Sequence, residues 1–303
     1  MLDQILAHKR TEIERLDLPT LKSMARDAER PRDFVSALNP LPGPPPSGPS
    51  TSLRSAQDAP MGEGRGGGGV RLIAELKRAS PSRGLLAPNI DLIELARIYA
   101  DNGAAALSVL TDEKFFLGKL ETLLTLRNIA PPLLGNFPMG EGSGVGVGIP
   151  MLRKDFTLAP VQVYETRAAG ADAILLIAAA LPEDSEIADL HALALELGLT
   201  PLVEVHNREE LERVLRLPQL KLVGINNRDL KTFNVSLDTT AALRPHVPPG
   251  ICVVSESGIF TAAHVEQLAA LDVNAILVGE ALVTAPDIGE KVRELSGVKV
   301  IAD

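Results

Sequence analysis

The stretch Val70-Arg71-Leu72-Ile73-Ala74-Glu75-Leu76-Lys77 decides the fold, because it is the first of a series. Its apolar residues run almost without interruption, the pattern of a strand covered on both faces, and a helical pattern begins near Asp91. Comparable apolar runs occur at 104–110, 149–152, 173–177, 202–205, 222–225, 251–254 and 275–278. Between and after them lie helical patterns starting near Leu117, Ala159, Pro182, Asn207, Ser236, Thr261 and Pro286. Eight buried strands alternating with helices predict an α/β fold with a parallel sheet. This number of units favours closure into a (β/α)₈ TIM barrel over an open doubly wound sheet.

Outside the repeat, residues 1–38 read as helices. Leu2, Ile5, Leu6, Lys9, Ile13 and Leu16 follow a helical stripe, and Pro19 opens a second segment through Met24 and Ala28. Residues 39–69 change abruptly to Pro, Gly and Ser and read as a flexible linker, since they bury too little apolar surface to fold. The barrel is expected over 70–303, interrupted by a Gly-rich flexible insertion at 135–148. That insertion follows a helix and precedes a strand, the reverse of a dinucleotide loop, so no cofactor role is expected there. Helix-to-strand loops lie at the bottom of a barrel, away from the active face.

Composition narrows the function. The chain of 303 residues is 45% hydrophobic with a net charge of −9, and it has no long Lys/Arg run, so nucleic acid is not an expected partner. No apolar stretch reaches the ~20 residues of a membrane span. The charged N-terminus lacks a signal peptide's apolar block, so a cytoplasmic protein is the default. The single cysteine, Cys252, excludes an intramolecular disulfide and reads as a buried small hydrophobe. Oligomeric state is not encoded in any pattern, and a monomer is the working expectation.

Barrel active sites form at the C-terminal ends of the strands. Glu75 and Lys77, two apart in a strand, point to the same side of the sheet. Two readings fit them: reacting groups, or a buried ion pair that holds the barrel together. Lys154 follows Met151-Leu152-Arg153, and Glu204 follows Leu202-Val203, so three strands end in the same way. The sixth strand contributes Asn226 and Arg228, the seventh Glu256, Ser257 and Gly258, the eighth Gly279 and Glu280. Backbone N–H groups around those glycines suit a phosphate, a recurring feature after the seventh and eighth strands. His8, His191, His246 and His264 read as surface residues, and His206 as a rim residue near the mouth; none has metal-ligand spacing.

The residues Ile73-Ala74-Glu75-Leu76-Lys77-Arg78-Ala79-Ser80-Pro81-Ser82 and Leu107-Ser108-Val109-Leu110-Thr111-Asp112 resemble the opening of the indole-3-glycerol-phosphate synthase family. So do Leu152-Arg153-Lys154-Asp155-Phe156, Gly224-Ile225-Asn226-Asn227-Arg228-Asp229-Leu230 and Ser255-Glu256-Ser257-Gly258-Ile259, in the same order. The N-terminal helices resemble the family's extra helices over the barrel mouth.

The resemblance implies closure of an indole ring from 1-(2-carboxyphenylamino)-1-deoxyribulose 5-phosphate, with loss of carbon dioxide and water, in tryptophan biosynthesis. It implies no metal and no organic cofactor. Lys154 matches the family's acid on the ribulose carbonyl, with Glu204 stabilising positive charge on the anilino nitrogen. Lys77 and Glu75 are similar to its dehydration pair, and the assignment of each lysine to a step stays open. Asn226 and Ser257 are expected to join the catalytic set. Arg228 is expected to clamp the benzoate carboxylate, and Ser80 to contact substrate. Lys77, Ser257, Gly258, Gly279 and Glu280 are expected to hold the phosphate, Glu280 through its amide with its carboxylate turned away. Leu110, Phe116, Phe156 and Leu175 are equally readable as walls for the aromatic ring or as core.

Two other readings compete. A phosphosugar barrel such as phosphoribosylanthranilate isomerase shares the phosphate site, but its chemistry uses a Cys/Asp pair, and Cys252 lies one strand from where that pair needs it. A non-catalytic barrel binding a phosphorylated ligand would keep the glycines but has no need of two lysines and two carboxylates.

Overall fold

The computed structural model describes residues 1–39, 69–81, 83–128, 148–229 and 232–297. The expected linker over 39–69 and the expected insertion over 135–148 lie outside the described residues, apart from Asn39, Gly69 and Gly148.

Eight parallel strands close into a barrel. They are β1 (Arg71–Leu76), β2 (Ala106–Leu110), β3 (Met151–Lys154), β4 (Ala173–Ile177), β5 (Thr200–Val205), β6 (Leu222–Asn226), β7 (Cys252–Glu256) and β8 (Ala275–Val278). Each pairs with its sequence neighbours, and β8 returns to β1, with Ala74 opposite Val278. The strands bury both faces. Leu72, Ala74 and Leu76 of β1 pack outward against the helices, while Ile73 points inward with Leu152, Leu202, Val254 and Leu277. The apolar runs seen in the sequence are therefore two alternating faces, and neither meets water.

Side-chain caps account for the helix starts. Asp91 accepts from the backbone N–H groups of Ile93 and Glu94, Asn207 from Glu210, Thr261 from His264 and Asp287 from Glu290. Each cap directly precedes its helix. After β1, Ala79–Ser80 and Gly84–Leu85 form a small antiparallel hairpin over that rim.

The N-terminal segment wraps the barrel from top to bottom. Helix α1 (Leu2–Ile13) lies at the mouth, where Met1, Leu2 and Ile5 line the central cavity. Helix α2 (Leu18–Asp27) packs along the outer helix Pro160–Ala168. Helix α3 (Phe34–Leu38), capped by Asp33, inserts Phe34 and Leu38 into the barrel-interior cluster, and Arg71 Nε donates to Ala37 O. Just before it, Arg32 N donates to buried Asp172 at 2.7 Å, and Asp172 also accepts from Met151 N at 2.8 Å. Of the three helices, α1 alone covers the mouth.

His191, read as a surface residue, is only 1% exposed in the helix Asp184–Glu196, where burial lowers its pKa and keeps the ring neutral. Its position falls on the apolar face that packs on β4 and β5. Among the described residues no helix is long and apolar enough to cross a membrane.

Candidate active site

Strand parity builds the site. The inward positions of β1, β3, β5, β6 and β7 end in Glu75, Lys154, Glu204, Asn226 and Glu256, one layer above the apolar filling of the barrel. Pairing register sets them side by side: Glu204 stands opposite Gly224, and Asn226 opposite Glu256. The layer floors a cavity of about 420 Å³, within the range of small-molecule sites.

Two lysine–carboxylate groups face each other there. Lys154 Nζ lies 2.9 Å from Glu204 Oε2 and 3.2 Å from Glu256 Oε2. Lys77 Nζ lies 3.0 Å from Glu75 Oε2. Asn226 Nδ2 donates to Glu204 Oε1 at 3.1 Å, and its own Oδ1 accepts from Arg228 N at 3.0 Å.

Electrostatics separate the three central groups. Burial works against the Lys154 ammonium, but Glu204, then Glu256 and Glu75, outweigh it and hold its pKa well above an ordinary lysine's. Burial likewise opposes charge on Glu204, yet Lys154, His206 and Asn226 keep it well below the usual carboxylate range. Glu256 goes the other way. Burial pushes it up to about 7, with Glu204 and Glu75 adding like charge and Lys154 only partly compensating. The site therefore pairs a fixed anion with a carboxyl poised near neutrality, both on one ammonium.

Two glycines make room for these carboxylates. A Cβ on Gly279 would collide with Glu75, and one on Gly224 with Glu256. Gly279→Ala is expected to displace Glu75 from Lys77 and lower kcat/KM by at least about tenfold in a steady-state assay, as misplaced acid–base groups do. An alanine variant with parental kinetics would show that Glu75 need not stay where it stands.

The opposite ends of the cavity differ in character. Leu110, Phe116, Phe156 and Leu175 form an apolar wall, with the two phenyl rings 6.3 Å apart. At the other end lie Ser257, Gly258, Gly279 and Glu280. Ser257 and Gly258 both have positive φ, +67° and +79°. For the serine this conformation costs on the order of 1 kcal/mol. Buried Asn227 holds the turn, donating to Ser257 O at 3.1 Å and Ser255 Oγ at 2.9 Å. The carboxylate of Glu280 pairs with Arg83 of the hairpin at 2.7 Å. Ser80 and Arg228 also line the cavity, so all the residues singled out from the sequence meet in one space.

Three positions went unread or misread. Glu256 belongs to the inner layer and does not merely flank the glycine-lined turn; inward parity with Cys252 and Val254 is the sequence signal for it. Asn227 faces away from the cavity, and no sequence pattern marks its role. His206 is not a rim residue. Its side chain is 9% exposed, and Nε2 stands 3.2 Å from Glu204 Oε1, an ion-pair contact poorly aligned for a hydrogen bond. Cys252 sits at the first position of β7, remote from this layer, and burial pushes its thiol up to about 12. That removes the Cys-based isomerase reading.

Fold and site together define a (β/α)₈ barrel with an acid–base centre at its strand ends. The sequence model of the indole-3-glycerol phosphate synthase family matches residues 63–295. A relative from Roseiflexus castenholzii (strain DSM 13941 / HLO8), named indole-3-glycerol phosphate synthase, is 46% identical over 98% of this chain and 98% of its own. One of the same name from Desulforamulus reducens (strain ATCC BAA-1160 / DSM 100696 / MI-1) is 52% identical over 75% of this chain and 79% of its own. Among solved structures, thiamine phosphate pyrophosphorylase from Pyrococcus furiosus superposes with a TM-score of 0.52 at 19% identity, covering 74% of this chain and 93% of that one. That likeness concerns the fold alone. The chain belongs to the indole-3-glycerol phosphate synthase family.

Proposed function

We propose that this chain acts as an indole-3-glycerol phosphate synthase in tryptophan biosynthesis, with Lys154 and Glu204 serving ring closure and Lys77 and Glu75 serving dehydration. The observation that carries the division is the presence of two separate lysine–carboxylate groups on one cavity, between an apolar wall and a glycine-lined turn. A barrel that only bound a phosphorylated ligand would have no use for both.

The substrate's aromatic ring fits against Phe116 and Phe156, and its phosphate fits the backbone N–H groups near Gly258 and Gly279. Arg228 clamps the benzoate carboxylate. In the first step the ring carbon bearing that carboxylate bonds to the ribulose carbonyl carbon. The carbonyl π electrons move to oxygen, which takes a proton from Lys154. Positive charge appears on the anilino nitrogen, where the fixed anion of Glu204 stabilises it. The bond to the carboxylate then breaks, carbon dioxide leaves, and its electron pair neutralises that cation.

Dehydration follows at the second pair. Lys77 protonates the departing hydroxyl and Glu75 takes the proton from the adjacent carbon, which closes the aromatic system. Glu256, with a pKa of about 7 and 3.2 Å from Lys154, is suited to relay the proton that restores the ammonium.

A substrate carrying both a phosphate and a carboxylate does not cross membranes freely, which supports a cytoplasmic location. The same reading makes 70–303 the catalytic unit and 1–38 its helical extension. Purified protein, without added metal, is expected to convert the anilinodeoxyribulose phosphate to a product with indole fluorescence. Folded protein that leaves the substrate unchanged would reject the reading.

A further inference from the structure

Glu204 is approached by three groups. Lys154 takes Oε2, while Asn226 and His206 share Oε1 at 3.1 and 3.2 Å. His206 is itself backed by Glu210, in the first turn of the helix Arg208–Val214. Glu210 Oε2 accepts from His206 N at 2.8 Å and lies 3.1 Å from His206 Nδ1, and Glu210 Oε1 accepts from Asn207 Nδ2 at 2.7 Å. That carboxylate is anchored within its own turn. The imidazole is thus held between two carboxylates, one at each ring nitrogen. The contact at Nε2 is an ion pair and is not aligned as a hydrogen bond, so a neutral imidazole offers Glu204 little, whereas the imidazolium presents a positive charge to both carboxylates.

We infer that His206 is a positioning residue for the ring-closing step, an imidazolium backed by Glu210 that keeps the Glu204 carboxylate charged and aimed at the substrate nitrogen. The inference rests on the reading of the site as a synthase centre. The need for such a group follows from the chemistry. Lys154 must turn its hydrogen bond from Glu204 to the substrate carbonyl and give up a proton there, at the moment when Glu204 is required as an anion. Asn226 donates a hydrogen bond but carries no charge. His206 is the cation that stays beside Glu204 throughout.

The charged groups around the imidazole are Glu204 near the end of β5 and Glu210 on the following helix; across the Glu204 carboxylate stand Lys154 of β3 and Glu256 of β7. Burial lowers the pKa of His206, but Glu204 and Glu210 outweigh it and push it up to about 10. The sign follows: the imidazolium is present at neutral pH and is lost as pH rises through that value.

The test uses His206→Gln, which keeps a donor but not the charge, and Glu210→Gln, which keeps the acceptor for His206 N. His206→Gln is expected to lower kcat about tenfold with KM within about threefold, the pattern of an interaction that matters in the transition state. Glu210→Gln is expected to bring the alkaline loss of kcat down by at least about one pH unit, because the imidazole loses one of its two carboxylates. ¹⁵N NMR of the imidazole reads the same shift without turnover: charged past pH 8 in the parent, titrating at lower pH in Glu210→Gln. A parental kcat in His206→Gln, or a parent imidazole that is neutral at pH 7, overturns the proposal whatever happens to the melting temperature. A parent that does not turn over overturns the functional reading instead, and the NMR titration then decides the pairing alone.

Discussion

Lys154→Ala is expected to lower kcat by about 10³-fold or more while substrate affinity stays measurable, because in the proposed mechanism this lysine supplies the acid on the carbonyl oxygen and a charge-assisted contact to it. The ammonium is also the shared partner of Glu204 and Glu256. Without it two buried carboxylates face each other, and one takes up a proton. Glu256, already raised to about 7, is the one expected to do so, leaving Glu204 anionic beside His206. The loss should therefore fall on kcat more than on binding, since the apolar wall and the glycine-lined turn remain. Single-turnover fluorescence together with equilibrium titration of substrate separates the two. Unchanged turnover would remove Lys154 from the mechanism.

The second large effect lies outside the cavity. Lys9 of α1 is buried, with Nζ 2.6 Å from Glu12, 2.8 Å from Asp155 and 3.1 Å from Asp112. Burial opposes its charge, but Asp155 above all, then Glu12 and Asp112, hold its pKa above the ordinary value. Asp155 and Asp112 stand at the ends of β3 and β2, so one ammonium ties the helix over the mouth to the barrel rim. Lys9→Met removes the cation and leaves the two buried aspartates short of a partner, a change that costs about 3–5 kcal/mol when a buried pair is broken. Asp155 retains Arg153 at 3.2 Å and Thr111 at 2.6 Å, which places the expected loss near the lower figure. Urea unfolding at pH 7 measures it. Because α1 brings Met1, Leu2 and Ile5 to the cavity, KM should rise as well. Adding Asp112→Asn should recover part of the stability, since it deletes one orphaned charge. A Lys9→Met variant as stable as the parent would mean that apolar packing alone docks α1.

Much of this was legible in the chain. Continuous apolar runs at 173–177 and 275–278 coincide with β4 and β8, because strands buried on both faces leave no room for polar residues. The helix starts were marked by Asp91, Asn207 and Thr261, whose side chains bond the first free N–H groups locally. Parity put Glu75 and Lys77 on one side of β1, the ends of short apolar runs marked Lys154 and Glu204, and the ordered motifs led to the family. All of these depend on neighbours in sequence or on the repeat.

The rest depended on groups that meet only after the barrel closes. Lys9 sits in an apolar stripe of α1, and only the aspartates at two strand ends explain its charge there. The sequence placed His206 at the rim, because nothing local says that a ring two residues beyond Glu204 folds back between it and Glu210. Glu256 and Glu204 are the same residue type in matching strand positions. One is driven towards protonation and the other held ionised by how burial, Lys154 and His206 divide between them. The sequence by itself determined the barrel, the family and the identity of the ionisable residues at its mouth. Their pairing, their protonation and the docking of α1 were decided by tertiary structure, because Coulomb and desolvation terms depend on distance and burial, which no linear pattern carries.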